Sequence, residues 1–223
     1  MSPAPAATWR IETGGALQTT ATWDPPTAFD SGAVFLCAHG AGGHMGDRAM
    51  LAVSGALRER GIGVVRFNFF YRARGSGRPD QMPRLVECLS AVVDAVNAEL
   101  TPQRLILGGR SMGGRAASVA VSAGMACERL LLLAYPLHPP GQTARLRVAH
   151  LGAVQQPVLC MNGTRDTFCG RPLMEKTLAT LGSNWRMHWL EGADHGFHVL
   201  KRTGRTDADI LREAADTCRE WLG

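Results

Sequence analysis

The feature that most constrains this chain is an alternation. Short apolar runs rich in β-branched and aromatic residues are separated by longer segments of helical period. Val34 to Ala38, Val64 to Phe67, Leu105 to Leu107, Leu130 to Ala134, Val158 to Met161 and Arg186 to Leu190 read as buried strands. Ahead of them, Thr8 to Thr13 and Leu17 to Trp23 read as an antiparallel pair. Strands that take turns with helices build a mostly parallel sheet covered on both faces, so an α/β fold of about eight strands is expected.

Leu85, Val86, Leu89, Val92, Val93, Val96 and Leu100 recur at intervals of three and four, which places them on one face of a helix spanning Met82 to Leu100, with Pro83 in its first turn. Ile210, Leu211, Ala214, Cys218, Trp221 and Leu222 repeat the pattern after Thr206 and Asp209, which are spaced as a capping box. Segments around Asp47 to Arg60, Met112 to Ala123 and Arg171 to Leu181 complete the alternation. No repeat or low-complexity linker interrupts it, so residues 1–223 are expected to form a single domain.

Apolar stretches such as Leu130 to Ala134 are far shorter than the roughly 18–20 residues of a membrane span, and Met1 to Arg10 lacks the pattern of a secretory signal. The formal net charge is +5, without a lysine run or acidic tail to direct it toward nucleic acid. Lys176 and Lys201 are the only lysines, an arginine bias of the kind that GC-rich bacterial genomes produce. Cys37, Cys88, Cys127, Cys160, Cys169 and Cys218 form no C-x-x-C pair, and Cys37 and Cys160 lie in apolar runs, as expected for reduced thiols in a cytoplasmic protein.

The chemistry centres on Gly109-Arg110-Ser111-Met112-Gly113, between the Leu105 to Leu107 strand and the helical segment that follows. With 26 glycines in 223 residues, G-x-S-x-G arises among the serines by accident in about one such chain in eight, so the five residues alone carry little weight. The strand-turn-helix setting gives them their weight: glycines there permit a cramped backbone that lifts a serine hydroxyl above the sheet edge. The rival is a phosphate loop, since Gly109 to Gly114 has G-x-x-x-x-G spacing. It fails because Arg115-Ala116 stand where Lys and Ser or Thr should be.

An ordinary serine is a poor nucleophile and needs a base, and the base needs an orienting group; in a strand-turn-helix site these follow the serine in the order acid, then histidine. Asp166 follows the Val158 to Met161 strand, and His195 follows the Arg186 to Leu190 strand. Asp194 is too close to His195 in sequence to reach the ring nitrogen facing away from Ser111, though it suits bracing the loop. His188 falls inside a strand and His198 lies past the loop, which leaves His195 as the base. The Val34 to Ala38 strand runs into His39-Gly40-Ala41-Gly42-Gly43-His44, and the backbone N–H groups of Ala41 and Met112 are the expected oxyanion donors. His39 suits a hydrogen bond to its own loop, and His39 and His44 do not make a ligand set, so neither metal nor cofactor is expected.

Arg66, Arg72, Arg74, Arg78 and Arg84 surround Phe67, Phe69, Phe70 and Tyr71. That mixture can stack on single-stranded nucleic acid, but Phe67 is better placed as strand core. The arginines then fall in loops near the catalytic edge, where they would favour an anionic acyl substrate. Tyr135 to Pro140 is a stiff turn at another strand end, either pocket wall or plain loop. His39, Gly40, Gly42, Arg78 and Tyr135 are the candidate substrate contacts.

Taken together, His39-Gly40-Ala41-Gly42, Arg66-Phe67-Asn68-Phe69, Arg78-Pro79-Asp80, Gly108 to Gly114, Tyr135 to Gly141, Gly163-Thr164-Arg165-Asp166 and Gly192-Ala193-Asp194-His195 resemble a small α/β-hydrolase family over nearly the full chain. The family is related to dienelactone hydrolases and includes the hydrolase-like domain of a subunit of an NSL-type chromatin complex. The resemblance implies the α/β-hydrolase fold and a triad of Ser111, Asp166 and His195. The chain departs from dienelactone hydrolases proper in carrying Ser111 where they carry cysteine. Gly141 to Pro157 is too short for a large helical lid, so an open site for small or medium acyl esters or thioesters is expected, with no nucleic-acid or membrane partner. The alternative is a catalytically idle interaction module on the same fold.

Overall fold

The computed structural model describes residues 6–13 and 17–223. Eight strands form one sheet: β1 (Ala7–Glu12), β2 (Gln18–Asp24), β3 (Ala33–Ala38), β4 (Gly63–Phe67), β5 (Arg104–Arg110), β6 (Arg129–Leu133), β7 (Val158–Gly163) and β8 (Trp185–Leu190), in the order β1-β2-β4-β3-β5-β6-β7-β8. β2 is antiparallel to both β1 and β4, and the other neighbours run parallel. This is the α/β-hydrolase architecture without a large lid. Between β6 and β7 the only regular element among the described residues is a single 3₁₀ turn, Leu151–Ala153.

The helices are α1 (Arg48–Arg58), α2 (Phe70–Ala73), α3 (Met82–Leu100), α4 (Met112–Ser122), α5 (Arg171–Leu178) and α6 (Asp207–Leu222). All six residues of β3 are buried, because successive side chains point to opposite faces and both faces are covered. Val34, Leu36 and Ala38 belong to the core shared with α3 and α4, while Ala33, Phe35 and Cys37 belong to the core shared with α1 and α6. The helix that follows β3 therefore covers one face, and the helix that follows β5 covers the other. Adjacent strands whose connections part to opposite faces leave a crevice at their C-terminal ends, where sheets of this kind bind ligands.

Several boundaries differ from the sequence expectation. β5 runs on through Gly108 and Gly109, which still pair with Cys37 and Ala38. β6 stops at Leu133 because Ala134 takes φ 53°. The short α2 has no periodic signal, being too short to show one. Phe67, Phe69, Phe70 and Tyr71 are fully buried, leaving no ring face on which a base could stack. No helix among the described residues is long and apolar enough to cross a membrane.

The capping box of α6 forms as expected: Asp209 N–H donates to Thr206 Oγ1 at 3.2 Å, and Thr206 N–H donates to Asp209 Oδ2 at 2.9 Å. Thr206→Ala removes one of these bonds and is expected to cost about 1 kcal/mol. In a chain of this size that lowers the melting temperature by about 2–4 °C, measurable by differential scanning calorimetry.

Candidate active site

The site forms where β5 turns into α4 against the end of β3. A Cβ on Gly109 would lie 2.2 Å from the Ala38 carbonyl oxygen, and one on Gly113 would lie 2.4 Å from it. The two glycines of the motif thus let backbone pack against backbone on either side of Ser111. Ser111 itself takes φ 50° and ψ −115°, a strained conformation for a residue with a side chain. The turn is held by Ser111 N–H donating to Leu133 O at 2.9 Å and by Arg115 N–H donating to Ser111 O at 3.0 Å.

His195 Nε2 lies 2.9 Å from Ser111 Oγ, and His195 Nδ1 lies 2.8 Å from Asp166 Oδ2, although Ser111 and His195 are 84 positions apart. The Asp166 carboxylate is fully buried. Besides His195 it accepts from Phe168 N–H at 2.8 Å and from Asn162 Nδ2 at 3.0 Å. A buried carboxylate with its acceptor positions filled has one orientation available, so it fixes the histidine ring as well. Asp194 braces the loop, its Oδ1 accepting from Gly196 N–H at 2.8 Å and His198 N–H at 3.0 Å.

Around Ser111 lies an open cleft of about 750 Å³, within the usual range for a small-molecule site. Gly40, Ala41, Met112, Phe168 and His195 line it. Among the described residues the Ala41 and Met112 backbone N–H groups have no hydrogen-bond acceptor, while Gly43 N–H closes the turn onto Gly40 O at 3.1 Å.

The other candidate contacts lie outside the cleft wall. His39 is buried: its Nδ1–H donates to Gly40 O at 2.8 Å, and its Nε2 accepts from Phe69 N–H at 3.2 Å. Burial lowers its pKa to about 4, so the ring is neutral and ties the Gly40 loop to the start of α2. Gly42 takes φ 72° in the turn. Arg78 is exposed, on a segment pinned by Arg74 to Asp80 at 2.8 Å. Tyr135 is buried, and its hydroxyl donates to Arg147 O at 2.7 Å. Of the remaining arginines in the Arg66 to Arg84 group, Arg66 pairs with Asp24 at 2.5 Å, Arg84 pairs with Glu87 at 2.8 Å and Arg72 donates to Ser76 O at 3.3 Å. His44 pairs with Asp47 at 2.9 Å.

Two residues that matter here were not singled out from sequence. Asn162, buried at the end of β7, accepts from Tyr135 N–H at 3.1 Å and donates to both Tyr135 O and Asp166. The available signal is a polar residue closing an apolar strand, four positions before the acid. Arg110, next to the nucleophile, donates from Nη2 to His195 O at 3.2 Å and lies 5.4 Å over the Phe197 ring. It joins the turn that carries Ser111 directly to the loop that carries His195.

A turn of this kind, with a serine, a histidine and a buried aspartate converging at a strand switch point, defines a hydrolase-type site on an α/β-hydrolase fold. The sequence model of the family described as alpha/beta hydrolase domain matches residues 31–223, and the chain belongs to that family. Among solved structures it is similar to a serine hydrolase without a lid from Xanthomonas campestris: 24% identity, 98% of this chain and 96% of that one covered, TM-score 0.78. It is also similar to a serine hydrolase homologue from Coxiella burnetii (21%, 97% of each chain, TM-score 0.76). A third is a dienelactone hydrolase from Anabaena variabilis (18%, 98% and 96%, TM-score 0.71). At these identities the likeness is one of fold.

Arg110→Met removes the bond to the His195 loop and should lower kcat about 10- to 100-fold with little change in KM. Arg110→Lys should recover part of the loss, and steady-state kinetics on an activated ester separates the two parameters. His39 makes a second prediction. Its pKa is lowered to about 4 in the folded chain, so protons favour the unfolded chain. Stability is full above about pH 6.5 and falls as pH drops toward about 4, by up to roughly 3 kcal/mol. Urea midpoints across that window should fall more steeply in the wild type than in His39→Asn.

Proposed function

We propose that the chain is a serine hydrolase that cleaves small or medium-sized carboxylic esters or thioesters through an acyl-enzyme on Ser111. The observation that carries this reading is the His195 ring, 2.9 Å from Ser111 Oγ on one side and 2.8 Å from the buried Asp166 carboxylate on the other. In the proposed reaction His195 Nε2 takes the Ser111 hydroxyl proton as Oγ bonds to the substrate carbonyl carbon. The carbonyl π pair moves onto oxygen, where the Ala41 and Met112 N–H groups hold it; one such donor is worth about 2.7–4 kcal/mol. Collapse breaks the bond to the alcohol or thiol, which leaves with the proton from His195. Water then attacks the acyl-enzyme with His195 as base, and the acid is released. The cleft is open and carries no lid, which fits a reaction at an exposed edge rather than one gated by a lipid surface.

Two finer assignments belong to the same proposal. The stretches from Arg66 to Phe69 and Tyr135 to Gly141 support placement in the dienelactone-hydrolase-related branch that includes the NSL-type subunit domain. Six cysteines without a disulfide support a cytoplasmic location.

Treating folded wild type and Ser111→Ala with a fluorophosphonate and reading intact mass tests the nucleophile. One adduct is expected on the wild type and none on the variant, whose ester turnover should fall at least ~10³-fold. A folded wild type that takes no adduct would overturn the reading in favour of a non-catalytic binding module.

A further inference from the structure

One turn along α4 from Ser111 stands Arg115, on the same helical side because the two are four positions apart. Across the cleft wall stands Arg147, in the loop between β6 and β7. Arg115 and Arg147 also line an adjoining hollow of about 410 Å³, whose exposed rim carries Arg145. The Arg115 and Arg145 guanidinium groups are close enough to Arg147 to repel it: burial first, and then Arg115 and Arg145, push the Arg147 pKa down from its ordinary value.

Among the described residues none of the three has a carboxylate within 4.0 Å, and none donates a side-chain hydrogen bond. Arg115 Nε is buried without any partner. Of the acidic residues that face the cleft, both from other segments, Asp47 pairs with His44 at 2.9 Å and Asp80 Oδ1 with Arg74 at 2.8 Å, while Asp80 Oδ2 is buried without a partner. Arg110, also in the wall, gives Nη2 to the His195 carbonyl, and its Nε is buried without a partner. His150 adds no charge, since burial and then Arg115 lower its pKa to about 4 while it shares a 2.8 Å hydrogen bond with Ser118 Oγ.

The cluster is also built rather than loose. Arg147 N–H donates to Leu137 O at 2.8 Å, and Tyr135 Oη donates to Arg147 O at 2.7 Å, so the backbone beneath the guanidinium is clamped on both sides. Holding like charges together in a partly dry wall is unfavourable unless an anion compensates them, and paired guanidinium groups match the planar oxygens of carboxylate and phosphate.

We propose that Arg115 and Arg147, with Arg145 at the rim, form an anion-binding subsite beside Ser111, and that the substrate is an ester or thioester bearing a carboxylate or phosphate remote from the scissile carbonyl. The proposal rests on the hydrolase reading of Ser111. Tyr135 then acts at one remove, as a positioning residue for Arg147.

The test compares p-nitrophenyl hexanoate with the p-nitrophenyl monoester of adipate, which has the same chain length and adds one carboxylate. The wild type is expected to favour the adipate ester at least about tenfold in kcat/KM. Arg115→Gln and Arg147→Gln should each lower that ratio about tenfold, mainly through KM, and the lysine variants should restore part of it. Tyr135→Phe should lower it less, and Arg78→Gln should leave it unchanged. Competition by adipate and by inorganic phosphate against hexanoate turnover separates a carboxylate site from a phosphate site.

A wild-type ratio near one, or a ratio that collapses in Arg78→Gln but not in Arg115→Gln or Arg147→Gln, would overturn the subsite. Calorimetric titration of Ser111→Ala with adipate reads the subsite without turnover: binding is expected there and lost when Arg147→Gln is added. Absence of a fluorophosphonate adduct strikes the hydrolase reading, whereas an adduct with no preference for the anionic ester strikes only the subsite.

Discussion

The close approach of backbone to backbone at the end of β3 is the constraint on which the rest of the site depends. Ala38 O leaves no room for a Cβ at Gly109 or Gly113, so β5 and the first turn of α4 settle directly against β3. That contact forces Ser111 between the two glycines into φ 50° and ψ −115°. A strained serine persists only where its surroundings over-determine it, and here the 2.9 Å bond from its N–H to Leu133 O supplies part of that restraint. The same contact brings the Gly40 loop alongside Ser111, which sets a candidate pair of oxyanion donors just past the ends of two strands that are neighbours in the sheet but far apart in sequence.

His195 and Asp166 are placed by a different device. Neither His195 nor Asp166 is strained; each lies on a loop anchored by buried or local hydrogen bonds. Asn162 binds both backbone groups of Tyr135 and also the Asp166 carboxylate, so one buried amide links the end of β7 to the chain just beyond β6. Arg110 closes the circuit by reaching from the Ser111 turn to the His195 carbonyl. The geometry is therefore held by three separate polar connections rather than by packing alone.

How much of this was legible in the sequence follows from the range over which each signal acts. The strands and long helices are written in local periodicity, which is why α3 spans Met82–Leu100 as expected and the Thr206 and Asp209 cap forms. The order of Ser111, Asp166 and His195 is also a linear property, since each follows a strand that the apolar runs reveal. Side-chain partnerships are not linear. Nothing in Arg66 to Arg84 tells the reader that Asp24, Asp80 and Glu87 neutralise three of those five arginines, and nothing near Arg147 tells that Arg115 lies beside it. Tyr135 was placed at a strand end correctly, but the direction of its hydroxyl, toward Arg147 O and away from the cleft, depends on how the chain from Leu137 to Arg147 folds back.

Charge neutralisation therefore separates two kinds of arginine on this surface. Of those from Arg66 to Arg84, Arg66, Arg74 and Arg84 are consumed in pairs with Asp24, Asp80 and Glu87, and their charge is cancelled before a ligand arrives. Arg115 and Arg147 are fixed by their backbones instead, one by α4 and one by the Leu137 and Tyr135 bonds, which leaves their guanidinium groups unspent. Positioning a cation through its backbone rather than through a counter-ion keeps its hydrogen-bond donors available while still limiting its motion. A lidless cleft leaves a bound substrate open to solvent on one side, and two such cations would give it orientation by charge in place of enclosure. The absence of a large lid and the uncompensated arginines would then be two sides of one design, in which the fixed wall beside Ser111 orients what binds.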